Sequence, residues 1–157
     1  MTKATEQAEW LSETEMAAWR AYIVGSALLE HRLNRELQLS YGLSIADYEI
    51  MVRLSESPQH ELRMSELASE IAHSKSRISH QIRRLEKEGL VYRRECPEDG
   101  RGVLAVLTEK GMTKLRDAAP THVAGVREHM IDLLEPEEQE TLAKIFTRLT
   151  DRLRSLE

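Results

Sequence analysis

A chain of 157 residues, 41% hydrophobic and 31% charged, can build one globular core, and its composition excludes a disordered chain. No run approaches the roughly 18 apolar residues of a membrane span, and the opening MTKATEQAEW lacks an apolar signal segment, so a cytoplasmic protein without a membrane partner is expected. The lone cysteine, Cys96, excludes an internal disulfide, and a net charge of −5 argues against a surface that is basic all over.

In chain order, residues 13–37 carry Met16, Trp19, Ile23, Leu29, Leu33 and Leu37 at helical spacing, and Gly42 ends this first helix. Ser44, with Asp47 in the first turn, opens a second helix that runs to Glu56, carries Ile45, Tyr48, Met51, Val52 and Leu54, and is closed by Ser57-Pro58. Ser65 is expected to cap a short helix through His73 on the stripe Leu67, Ala68 and Ile71. Ser74 caps the next, which runs to Glu88 and stops at Gly89. Two short helices across a tight turn have the form of a helix-turn-helix.

After Gly89 the period becomes extended: LVYRREC and VLAVL read as strands joined by the turn PEDGRG, a β-hairpin. Thr108 caps a helix that Pro120 must end or kink, with the chain resuming from Thr121 to Leu134. Glu135-Pro136-Glu137 starts the last helix, striped by Leu142, Ile145, Phe146, Leu149, Leu153 and Leu156.

The fold class expected is mainly α with a small β-hairpin wing. One domain spans residues 1–157, with a winged helix-turn-helix core at 45–107 and helices at 10–40 and 109–157. The apolar stripes of the outer helices have no evident partner inside the core. They are assigned to a homodimer interface, against the alternative that they fold back on their own core.

Charge is unevenly distributed. Between Ser74 and Arg101 eight basic residues stand against five acidic ones, a local +3 that leaves −8 for the rest of the chain. A basic patch on an acidic body suits a protein that meets a polyanion with one face.

At 100° per residue, the helix from Lys75 places Ile78, Ile82 and Leu85 on its buried face. The opposite face carries Ser76, His80, Arg83 and Lys87, with Ser79 beside them. This donor-rich surface suits phosphates and base edges, and Arg83 is the candidate for bidentate readout of guanine. Ser74 and the amides that follow it sit at the positive end of the helix dipole, where a phosphate is favoured, with Lys75 and Arg77 as positioning contacts. Arg84 is divided between DNA and an acidic neighbour. Arg101, between Gly100 and Gly102, can enter a narrow minor groove, and Asp99 is expected to orient it.

The segment MSELASEIAHSKSRISHQIRRLEKEGLVYR, followed by PEDGRGVLAVLTEKG, resembles the MarR-type transcription regulators from about Leu43 to Thr108. The resemblance implies a dimer with interlocked terminal helices, the fourth helix in the major groove and the wing in the adjacent minor groove. It also implies repression of nearby genes and response to a small-molecule effector, often aromatic. The partner expected is therefore double-stranded DNA carrying a pseudo-palindromic operator. The chain departs from the common pattern in having Ser79-His80 for Thr-Arg and Asp99-Gly100-Arg101 for Asp-Arg-Arg, so a base preference does not transfer.

An enzyme is not expected, since the sequence has no nucleophile elbow, P-loop, dinucleotide fingerprint or HExxH. The six histidines form no i, i+4 pair, so neither a metal nor a cofactor is assigned. Cys96 near Arg93 and Arg94 is a weak candidate for oxidant sensing. Trp10, Trp19 and Tyr22 could line a ligand cleft or a dimer seam. The alternative function is a winged-helix module that docks proteins without specific DNA binding.

Overall fold

The structure, a computed structural model, describes residues 9–98 and 100–156. Among the described residues, six α-helices surround a small sheet: α1 (Glu13–Tyr41), α2 (Ile45–Glu56), β1 (Glu61–Arg63), α3 (Met64–Ile71), α4 (Lys75–Lys87), β2 (Val91–Glu95), β3 (Val103–Leu107), α5 (Glu109–His129) and α6 (Pro136–Arg154). Among the described residues, no helix is long and apolar enough to cross a membrane.

Helix starts follow side-chain chemistry. Ser12 with Glu15 and Ser44 with Asp47 form reciprocal capping boxes, while Ser74 and Thr108 accept from the amides of Arg77 and Gly111. Gly42 ends α1 at φ 67°, its amide returning to the Gln38 carbonyl.

Two expectations are corrected. Ser65 is not the cap of α3: the helix begins one residue earlier, at Met64, with Arg63 in the capping position, because Glu66 reaches back to the Arg63 amide at 3.3 Å. That helix also ends at Ile71, not His73, through Ala72 in the left-handed region at φ 56°. Of the two outcomes expected at Pro120, ending the helix is excluded, for α5 continues through it from Glu109 to His129. The hydrogen bond lost at the proline is offset by docking on α1, where Tyr41 and Thr121 hydroxyls meet at 3.2 Å and His129 Nε2 lies 2.8 Å from Glu36.

The hairpin also acquires a third strand. The sheet order is β1-β3-β2, antiparallel throughout, with Arg63 opposite Leu104 and Arg94 also opposite Leu104 from the other side.

The core gathers Leu37, Leu43, Ile50, Met51, Leu54, Leu67, Ile78, Ile82, Leu85, Leu90 and Val91, each at most 2% exposed. It lies between α2, α3, α4 and the sheet, with Leu115 and Ala118 closing it from α5. Gly111 fits this closure without a side chain, since a methyl on its Cα would lie 2.2 Å from the Leu90 carbonyl oxygen. By contrast α6 buries no residue, and Ile145, Leu149 and Leu153 stay exposed together with Trp19, Ile23 and Leu28 of α1.

Candidate nucleic-acid interface

α4 owes its orientation to its apolar face. Ile78 and Ile82 are fully buried and Leu85 is 1% exposed, so Lys75, Ser76, Arg77, His80, Arg83 and Lys87 are turned to solvent, with Ser79 half-buried. Gln81, not anticipated from the helical pattern, is also buried, beside His73. Burial and the nearby Arg77 charge hold the His73 pKa below its ordinary value, favouring the neutral ring in the helix-turn-helix turn.

At the N-terminus of α4, Ser74 Oγ accepts the Arg77 amide at 3.3 Å and lies 3.2 Å from Ser76 Oγ. In the first turn this leaves the Lys75 and Ser76 amides without an intrahelical acceptor, as at any helix start.

Arg84 has an internal partner. Its Nη2 donates to Asp47, whose side chain is only 4% exposed, and to Ser44 Oγ at 2.9 Å. The guanidinium therefore ties α4 to the capping box of α2, and the Asp47 carboxylate raises the Arg84 pKa further. Arg93 and Arg94 are likewise engaged: Arg93 bonds Glu86 of α4 at 3.1 Å, and Arg94 forks onto Glu61 of β1 at 2.7 Å. The first pair ties the sheet to α4, and the second spans the sheet itself, from β2 across β3 to β1.

Between α4 and the wing lies a groove of about 360 Å³ lined by Arg63, Met64, Ser65, Lys75, Ser79, Arg93, Arg101, Gly102 and Val103. Of the residues expected from sequence, Lys75, Ser79 and Arg101 meet in this groove. Ser76, Arg77, His80, Arg83 and Lys87 instead form the exposed ridge of α4. Arg63, Ser65 and Arg93 were not anticipated. β1 is three residues long, too short for an alternation signal, and only its pairing with β3 brings Arg63 beside the wing. Asp99, expected to orient the wing arginine, lies outside the described residues.

The groove has four cationic side chains around a concave surface next to an exposed helix ridge. That arrangement complements a phosphate backbone flanking a groove of bases.

The other candidates resolve differently. Cys96 is buried with Leu104 and Val106 at the root of the wing, and its amide donates to the Gly102 carbonyl at 2.8 Å. Among the described residues, no group of three or more His, Cys, Asp or Glu is placed to hold a metal. Trp10 is 87% exposed, while Tyr22 stacks obliquely on Phe146 at 5.5 Å between ring centroids. Tyr22, but neither tryptophan, lines an apolar cleft of about 530 Å³ between α1 and the α5–α6 connection. His122, half-buried, stacks on Tyr48 at 4.4 Å.

The MarR family model matches residues 43–103. The chain is similar to AbsC, a MarR family transcriptional regulator from Streptomyces coelicolor, with 48% identity and a TM-score of 0.89 over 94% of this chain and 99% of that one. It is similar to Sco3205, a MarR family regulator of the same organism solved in complex with DNA, with 42% identity and a TM-score of 0.91 over 95% of this chain and 93% of that one. The transcriptional repressor MprA of Escherichia coli K12 is 30% identical over 132 residues, which are 84% of this chain and 73% of that protein. The chain belongs to the MarR family: it is a DNA-binding transcription regulator, not an enzyme.

Proposed function

We propose that the chain is a homodimeric repressor of a pseudo-palindromic operator, with α4 in the major groove and the wing in the adjacent minor groove. The observation that carries this reading is the basic groove between α4 and the wing, where Lys75, Ser79 and Arg101 converge beside the exposed ridge of α4. In it, Arg83 reads a base edge, with Ser79 and His80 as its neighbours in readout. Ser74, Lys75, Ser76 and Arg77 hold phosphate at the helix start, and Arg101 enters the minor groove, oriented by Asp99. Arg84, bound to Asp47, acts by holding the angle of α4.

The whole chain, 1–157, acts as one domain in this reading, with DNA bound by the core at 45–107 and the partner copy bound by 10–40 and 109–157. The exposed apolar residues of α1 and α6 support that division, because covering them needs a second surface. Two relatives, one solved in complex with DNA and one a transcriptional repressor, support the target and the sign of regulation. The regulatory input is a small aromatic effector, and the apolar cleft beside Tyr22 and Phe146 has the size of a small-ligand site. The reading keeps the chain in the cytoplasm.

Selection of duplexes from a random pool at near-physiological salt, with the mass of the protein in solution measured alongside, tests the proposal. The expected product is an inverted repeat with half-sites about one helical turn apart, bound by two chains. Absence of any enriched sequence from a folded dimer would overturn it in favour of a protein-docking module.

A further inference from the structure

Arg63 occupies a position that neither base readout nor the fold's core explains. It is the last residue of β1, opposite Leu104 of β3, and its side chain is 30% exposed. From there it reaches the root of the wing on both limbs. Its Nη2 stands 3.9 Å from Glu98 on the outgoing limb, and its guanidinium lies over the backbone of Gly102 on the returning one.

The approach to Gly102 is close enough that a side chain there would have to push the guanidinium aside. A methyl on the Gly102 Cα would lie 2.6 Å from Arg63 Nη1 and 3.5 Å from its Cζ. Gly102 is not among the glycines at positive φ, which are Gly42, Gly89 and Gly100, so its backbone does not require glycine. What a side chain at 102 would meet first is the Arg63 guanidinium. Arg101 precedes Gly102 directly and lines the same groove as Arg63, so the seat of Gly102 on that plane sets how far Arg101 stands from α4.

We propose that Arg63 is a positioning residue for DNA binding, a strut under the wing that fixes the depth of Arg101 relative to α4. The inference rests on the reading above that the wing enters a minor groove. Arg63 acts through Arg101 and not as an independent phosphate contact. A guanidinium suits the task because its rigid plane can fill the space beside Gly102 while its nitrogens stay within ion-pair range of Glu98.

The test uses the full-length protein and the duplex enriched from the random pool. Hydroxyl-radical footprinting reports the minor groove under the wing, and methylation protection of guanines reports the major groove under α4. Arg63→Ala should weaken binding about five- to tenfold, the scale of one lost arginine contact. It should erase the wing footprint and leave guanine protection in place, a pattern that general destabilisation does not produce. Gly102→Ala, which displaces the guanidinium without removing it, should give the same pattern, and Arg63→Lys should rescue only in part. In an Arg101→Ala background, Arg63→Ala should add no further loss.

Multiplying losses in that background, or a wing footprint that survives both Arg63→Ala and Gly102→Ala, would overturn the proposal. Should Arg63→Ala lose its cooperative melt, Gly102→Ala and Arg63→Lys carry the comparison alone. If Arg101→Ala itself leaves the wing footprint intact, the minor-groove reading fails instead, an outcome separate from failure of the strut.

Discussion

Replacing Arg84 by alanine separates a tether from a reader of DNA. Asp47 Oδ2 takes the Ser44 amide at 3.1 Å and the Arg84 guanidinium, and Asp47 Oδ1 is buried without a hydrogen-bond partner. Removing Arg84 leaves this carboxylate with one amide donor at a helix start. A hydrogen bond to a charged group contributes about 1.5–3 kcal/mol, and the half-exposed guanidinium places this one at the lower end, about 1.5 kcal/mol. For a chain of this size the melting midpoint should fall by roughly 3–6 °C. Urea unfolding at equal chain concentration, which fixes any contribution from association, measures the loss. The salt dependence of duplex binding, measured on the same variant, should keep its wild-type slope. An unchanged urea midpoint together with a slope smaller by about one unit would refute the tether and make Arg84 a phosphate contact.

Arg83→Ala should relax sequence preference at one position per half-site, read by repeating the duplex selection, at a cost of about 1–3 kcal/mol against the preferred base. Arg101→Ala should weaken all sequences alike and lower the salt slope by about one unit per wing; a change confined to one base position would contradict its assignment. Gly111→Ala, normally a stabilising exchange inside a helix, should here destabilise by about 3 kcal/mol, because the new methyl meets the Leu90 carbonyl; chemical denaturation gives the sign directly. Burial holds the His122 pKa below its ordinary 6.5, so the unfolded chain takes the proton first. Stability therefore declines as pH falls through 6.5 toward the folded value. His122→Phe retains a ring against Tyr48 and should flatten that decline, leaving the share of His73, whose shift has the same sign; an unaltered pH profile would count against it.

Much of this architecture is written locally. Ser12, Ser44, Ser74 and Thr108 cap through their own side chains, and Gly42 supplies its own left-handed turn, so most boundaries are legible from a few neighbouring residues. The faces of α4 are legible for the same reason, since Ile78, Ile82 and Leu85 follow the helical period. Features set by distant contacts are not. The end of α3 uses Ala72 at φ 56°, where no glycine announces a left-handed residue. The survival of α5 through Pro120 depends on α1, far away in the chain. Arg63 enters the groove because three residues pair with β3, and Arg84 turns inward because Asp47 stands 37 positions before it. Side chains read as one basic surface in the sequence thus divide, on folding, into those that brace the fold and those that face outward.

The unbroken α5 has a mechanical consequence. Its first turn is fastened to the wing sheet, where Thr108 Oγ1 donates to the Gly89 carbonyl at 2.7 Å, and its far end is held to α1 by His129 and Glu36. Twenty-one residues make a rod of about 32 Å. A rod of that length works as a lever arm: tilting it by about 10° at the α1 end carries the wing end sideways by roughly 5 Å. That exceeds the spacing of successive base pairs, about 3.4 Å, so an angular change far from the DNA-facing surface is delivered to it as a full step of register.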